Sequence, residues 1–268
     1  MNSREVMLRE IGLTPIWQAR GVPGAVGDST ATKIAASDAN IAVTIAEPAV
    51  TAVATPAAVP ETPSAELPVD GAPGQLAHHN RAATIANMSW DELTASIAQC
   101  TACKLCKTRT NTVPGVGDRS PSWMVIGEAP GEQEDKRGEP FVGKAGQLLD
   151  AMLAAVGKKR GDGVYIANVI KCRPPGNRNP EPDEIAACEP YLRRQIALAQ
   201  PKLLLAAGKF SAQTLLNRED TVGAMRASGG NYESIPVVVT YHPSYLLRTP
   251  TEKAKAWDDL MKACTLVP

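Results

Sequence analysis

Six cysteines, at positions 100, 103, 106, 172, 188 and 264, are the residues of this sequence best suited to chemistry. Cys100 and Cys103 form a C-x-x-C pair, and Cys172 and Cys188 follow singly at long range. Four thiolates can hold tetrahedral zinc or a cubane iron–sulfur cluster. Structural zinc usually brings two tight pairs, whereas one pair with two distant single cysteines fits a cluster that ties remote segments together. The competing reading is that Cys172 and Cys188 are ordinary buried thiols, since free cysteine packs as a small hydrophobe. Cys106 extends the pair to C-x-x-C-x-x-C, but no fourth cysteine follows at ferredoxin spacing, so it reads as spare. Cys264 reads as a helix thiol. In a reducing compartment such clustering points to metal binding or catalysis rather than disulfides.

A second candidate is His242, in His242-Pro243-Ser244, after the β-branched run PVVVTY. Standing alone, such a histidine is more often a local hydrogen-bonding group than a catalyst. It has company: Gly127-Glu128-Ala129-Pro130-Gly131 follows another apolar run, and its glycines let backbone approach a ligand. Glu132, Glu134 and Asp135 beside it read equally well as a solvated charged loop. Gly138–Ala145 nearly spells a phosphate-binding loop, but Ala145 lacks the metal-holding hydroxyl and a charged stretch precedes it instead of a strand. Nucleotide hydrolysis is therefore disfavoured.

The elements that must position these residues fall in the last two thirds of the chain. Apolar β-rich runs lie at Trp123–Gly127, Val164–Ile170, Leu203–Ala207 and Pro236–Tyr241. Helical patterns lie between or after them, at Leu148–Val156, Asp183–Ala199, Lys209–Leu216 and Glu252–Cys264. Ser89-x-x-Glu92 is a capping box for a helix running to about Gln99. Alternation of strand and helix predicts an α/β fold of three layers, α/β/α, around a central four-stranded parallel sheet. Ligands of such sheets sit at the strands' carboxyl ends, where Gly127–Gly131, Asn168–Cys172 and His242–Arg248 fall.

Ahead of this domain the composition changes. Residues 21–86 are rich in Ala, Pro, Val and Thr with almost no aromatics, which predicts a disordered linker. Residues 1–20 carry Val6, Leu8, Ile11, Leu13, Ile16 and Trp17 at spacings that suit one side of a short helix, a possible docking motif for a protein partner. The catalytic domain is expected at 87–268. Basic and acidic residues balance at 28 each, so net charge does not select a partner. No apolar run is long enough for a membrane span and the N-terminus has no secretory pattern, so the expectation is a cytoplasmic monomer.

Four segments then become informative together. GEAPGEQED, GEPFVGKAGQLLD, ANVIKCRPPGNRNP and YHPSYLLR, with the cysteine spacing, resemble the signature blocks of family 4 uracil-DNA glycosylases. They occur in the family's order, over about Cys100 to Leu260. The resemblance implies a base-excision repair enzyme acting on uracil in single- or double-stranded DNA. It also implies a 4Fe–4S cluster on Cys100, Cys103, Cys172 and Cys188.

It further assigns roles. Phe141 would stack on the flipped uracil, Asn168 would read its N3–H and O4 edge, and His242 would hydrogen-bond O2 as the glycosidic bond breaks. Glu128 and Glu134 would be pocket carboxylates, Glu134 crowding the thymine methyl position, with Ala129 and Gly131 lining the same pocket. Family 1 enzymes place a water-positioning aspartate where this chain has Ala129, so leaving-group stabilisation must carry more of the reaction here. Tyr245, Leu246, Leu247 and Arg248 resemble a wedge loop that fills the space left by the flipped base. Lys171, Arg173, Arg178 and Arg248 are candidate phosphate contacts or, singly, solvated charges. The loop Arg173–Pro180 has no histidine, which predicts turnover rather than covalent trapping of DNA. The competing class is a non-catalytic cysteine-cluster protein that binds DNA lesions; it need not keep the leaving-group donor.

Overall fold

The computed structural model describes residues 73–268, with side chains from Asn80 onward. The expected docking segment 1–20 and most of the linker lie outside the described residues. Four strands form the parallel centre: β2 (Trp123–Gly127), β3 (Val164–Asn168), β4 (Leu203–Ala207) and β6 (Ile235–Thr240). Two short antiparallel edges, β1 (Val116–Gly117) and β5 (Gly230–Tyr232), extend it to six strands in the order β1-β3-β2-β4-β6-β5. The expected four-stranded sheet is thus its parallel core. The edges span two and three residues, too short to show a period of two.

Every residue of β2, β3 and β4 is buried, which explains their unbroken apolar runs: both faces are covered. On one face Met124, Ile126, Leu204 and Val239 pack against helices α5 (Pro182–Ala199), α6 (Lys209–Leu216) and α7 (Val222–Ser228). On the other, Trp123, Val125, Leu205 and Val238 meet α4 (Lys144–Ala155), α8 (Pro243–Arg248) and α9 (Lys253–Leu266). Trp123 also donates its indole N–H to the Val267 carbonyl at 3.0 Å, fastening the C-terminus.

The linker expectation requires a correction at its end. A helix, α1 (Pro73–Ala86), occupies residues assigned to the linker. After Pro73 the segment contains no further proline, so nothing breaks a helix there. Ile85, 2% exposed, joins Leu93 and Ile97 of α2 (Trp90–Ala98) and Tyr191 of α5 in a small third cluster. Ordered structure therefore begins before residue 87. The capping box opens α2 as expected: the Ser89 N–H donates to the Glu92 carboxylate at 2.7 Å, and Ser89 Oγ accepts from the Glu92 N–H. Two stretches expected as loops are helical, α3 (Glu132–Arg137) and α8.

Candidate active site and cysteine centre

Parallel register brings the strands' carboxyl ends together. Gly127 pairs with Asn168, and Ala207 with Thr240. Beyond them opens a cleft of about 370 Å³ in which Glu128, Ala129, Gly131, Phe141, Asn168 and His242 meet. Glu134, Ser244, Arg178 and Arg248 also reach it.

Asn168 ends β3 with 2% of its surface exposed, and its Oδ1 has no hydrogen-bond partner. A buried amide oxygen left alone costs on the order of 1–3 kcal/mol, so a ligand donor is the natural partner. Gly127 makes the space for it. A Cβ there would strike the Asn168 amide and come within 2.6 Å of the Phe141 ring.

Phe141 holds a left-handed backbone, φ 54°, uncommon for a bulky residue. Several bonds enforce it. Arg160 donates to the carbonyls of Pro140 and Phe141, each at 2.8 Å. Gly146 lies against the Phe141 carbonyl, where any side chain would collide. Glu134 accepts the N–H groups of Val142 and Gly143 at 3.0 and 3.1 Å through one oxygen, and that of Gly131 at 3.1 Å through the other. Both its oxygens are thus spent on backbone. Glu134 ties the Gly131 turn to the Phe141 loop while lining the cleft.

His242 is the N-cap of α8, and Pro243 starts the helix. The ring lies 5.5 Å from that of Phe141, nearly parallel at 27°. Nδ1 accepts the Ser244 N–H at 3.1 Å and lies 2.8 Å from Ser244 Oγ. Burial, then the charge of Arg248, lowers its pKa to about 4, with Glu134 opposing. Glu128 follows β2 and sits at the start of α6, Oε1 accepting the Phe210 N–H at 3.1 Å. Burial raises its pKa, while the amides of Phe210 and Lys209 and the Lys209 charge oppose. Gly208, at φ 107°, leaves room for that carboxylate; a Cβ there would also come within 3.1 Å of His242 Cβ.

Two expected DNA contacts are misplaced. Lys171 is 1% exposed and points inward, donating to the Asn168 carbonyl at 2.5 Å and to Gln195 Oε1 at 2.7 Å; it cannot reach a phosphate. Burial lowers its pKa to about 8, with Cys188 and Cys172 pulling the other way. Leu246 is fully buried in the core, so the apolar tip of this segment is Leu247, 43% exposed. Adjacent residues of a helix point about 100° apart, which turns one leucine into the core and the other outward. Arg248 stays exposed at the cleft and Tyr245 is half-buried against Tyr241, ring centroids 5.1 Å apart. Arg173 donates to Asn177 Oδ1 at 2.7 Å and remains part-exposed. Arg178 is bound at 2.6 and 2.9 Å by both oxygens of the buried Glu184. It braces the loop over the cleft. Ser244, Arg160 and Gly208 are contributors that spacing did not reveal; their parts are visible only once distant segments meet.

Cys100 and Cys103 from one segment, and Cys172 and Cys188 from two others, face one small cavity. Cys106 lines it as well, so this thiol is less peripheral than its spacing suggested. The surroundings are cationic: Arg109 donates to the Cys172 sulfur at 3.1 Å, Arg81 of α1 points to Cys100 at 3.7 Å, and Lys171 lines the wall. Burial pushes the Cys188 thiol up to about 12, so a thiolate there requires a bound cation. Among the described residues no group of three or more His, Cys, Asp or Glu is close enough together to hold one metal ion. An all-thiol set spread around a cavity, with positive neighbours, fits a polynuclear cluster.

The sheet, the cleft at its switch point and the cysteine centre define a class, and comparison with known proteins identifies it. The profile of the uracil DNA glycosylase superfamily matches residues 114–261. A type-4 uracil-DNA glycosylase of Archaeoglobus fulgidus is 42% identical over 182 residues, covering 65% of this chain and 91% of that protein. One from Thermotoga maritima is 40% identical over 176 residues, 91% of its length. A type-5 uracil-DNA glycosylase of Pyrobaculum aerophilum is 32% identical over 150 residues, 66% of its length. The chain belongs to the uracil-DNA glycosylase superfamily, and within it to the type-4 family. No helix among the described residues is long and apolar enough to cross a membrane.

Proposed function

We propose that this protein excises uracil from DNA by hydrolysing the N-glycosidic bond, leaving an abasic site. The observation that carries the reading is the unpartnered Asn168 Oδ1, which shares its cleft with an aromatic ring and an imidazole. Uracil extruded from the stack offers an N3–H donor beside an O4 acceptor, which a fixed amide matches with Oδ1 and Nδ2. Cytosine presents the reverse pattern and is refused. Phe141 supplies a π-surface to hold the base.

When the N1–C1′ bond breaks, its electron pair stays on the base and charge grows at O2. His242 is neutral with Nδ1 accepting, so its remaining proton is on Nε2, ready to donate there. Water adds to C1′ and loses a proton. We assign Glu128 to orient it, because Ala129 has no side chain able to do so. Arg248 and Arg173 serve the phosphates and Leu247 serves as the wedge.

Cys100, Cys103, Cys172 and Cys188 would hold a 4Fe–4S cluster. Their contribution would be ligation, which would join the segment after α2, the turn that follows β3 and α5. Incubating the protein with oligonucleotides carrying single uracils, in single strands and opposite G or A, followed by heating in alkali, tests the activity. Strand breaks at uracil only after alkali are expected. An intact strand with tight DNA binding would make the protein a lesion binder instead.

A further inference from the structure

Behind Asn168, on the side away from the cleft, lies a buried cation that the reaction above does not use. Only Val169, Ile170 and Lys171 separate Asn168 from Cys172. The Lys171 side chain folds back over this turn, and its ammonium holds the Asn168 carbonyl at 2.5 Å. Its second anchor, Gln195 Oε1 at 2.7 Å, belongs to α5. Gln195 is itself fixed, donating to the Pro114 carbonyl at 2.6 Å and meeting Tyr165 Oη at 3.3 Å. Among the described residues no carboxylate pairs with Lys171. The ionisable groups beside it are the sulfurs of Cys172 and Cys188, anionic only as metal ligands, and its backbone N–H faces Cys188.

A buried ammonium without a carboxylate is expensive to keep, and replacing it by an apolar chain of similar size would ordinarily cost a fold little. A reason for it lies in what it touches: the carbonyl of Asn168, whose buried amide oxygen is unpartnered and which lines the cleft. We propose that Lys171 is the positioning residue of the base-reading site: clamped between the cysteine centre and α5, it fixes the end of β3 so that the Asn168 amide meets the base in one orientation. This inference rests on the reading of Asn168 as the group that recognises uracil. Misplacement of a reading group by a fraction of an ångström leaves DNA docking almost untouched but costs heavily at the reacting bond.

The test uses the full chain with its metal, comparing Lys171→Met, which keeps the length without the donor, and Gln195→Leu, which removes the second anchor of Lys171. Iron per chain and visible absorbance report the cysteine centre. Single-turnover excision, DNA binding and the ratio of uracil to cytosine excision report the reading site. The expected result for Lys171→Met is iron at the wild-type level, DNA affinity within about threefold, and excision slowed about a hundredfold with weaker discrimination between the two bases. Gln195→Leu should move the same quantities in the same direction by less. Wild-type rate and discrimination in iron-loaded Lys171→Met would overturn the proposal. So would a rate that falls only in proportion to lost iron, since Lys171 would then serve the cysteine centre alone. If Lys171→Met does not fold, Gln195→Leu decides by the same criteria. Wild-type protein inert on uracil would instead overturn the reading of Asn168 and this inference with it, an outcome visible before any variant is made.

Discussion

Ser244 donates its backbone N–H to Nδ1 of His242 at 3.1 Å, and that bond determines which imidazole nitrogen carries the proton toward the cleft. A protonated ring would place two donors face to face at Nδ1. Burial, and then the charge of Arg248, lowers the pKa of the ring to about 4. Since this lies below the ordinary 6.5, the neutral ring stabilises the fold fully above pH 6.5, and that contribution is lost as pH falls through 6.5 toward 4.

Excision should accordingly show no histidine step near pH 6.5, with His242-dependent loss appearing only as the pH approaches about 4. Single-turnover rates across that range, at constant ionic strength, check this. His242→Ala should slow excision by about two orders of magnitude with DNA affinity little changed. A wild-type rate in that variant would place the active site elsewhere.

Asn168→Asp should lose most uracil excision, because a carboxylate has no donor for O4 and repels it. A trace of cytosine excision is expected, since the cytosine amine can donate to the new carboxylate. Gly127→Ala should also fail, from the methyl pressed between the Asn168 amide and the Phe141 ring. The two failures differ in kind: Gly127→Ala should impair uracil without admitting cytosine. Rates on the two bases, measured side by side, separate a lost reader from a blocked pocket.

For the cysteine centre, purified protein is expected to be yellow-brown with about four iron and four sulfide per chain, the composition of the cubane. Serine at Cys172 or Cys188 should lower iron content and thermal stability together, since each anchors a different element. Serine at Cys106 should leave the iron in place, although the thiol lines the cavity. A colourless protein with one zinc would contradict the assignment.

How much of this was legible in the sequence depended on burial. The parallel strands show as continuous apolar runs because both their faces are covered. Helix α3 does not show, because EQEDKR has no apolar stripe; Glu134 bonds at its start and Gly138 at φ 74° closes its end. Asn168, Phe141 and His242 were identifiable from motif resemblance, and they do converge on one cleft. Lys171 was misjudged because a lysine beside a cysteine motif looks like a surface charge; its partner Gln195 lies 24 residues on, in helix α5. The bracing part of Glu134 is not legible in the sequence, because the backbone amides that bind it come from a separate loop.

The neighbouring leucines of α8 give the last test. Sequence resemblance treats Leu246 and Leu247 alike, but the first is fully buried against the core and the second is exposed beside Arg248. Leu246→Ala should act through folding: a cavity beneath α8 costs about 2–5 kcal/mol, with excision at low temperature recovered in the fraction that remains folded. Leu247→Ala should change the thermal midpoint little, because the side chain is exposed. Its effect belongs to the duplex, where an apolar side chain offsets the unstacking of the flipped base. The expected signature is slower excision from double-stranded than from single-stranded DNA, where no stack has to be opened. Equal rates on both substrates in Leu247→Ala, beside a substrate-dependent loss in folded Leu246→Ala, would reverse the assignment and place the wedge at the buried leucine.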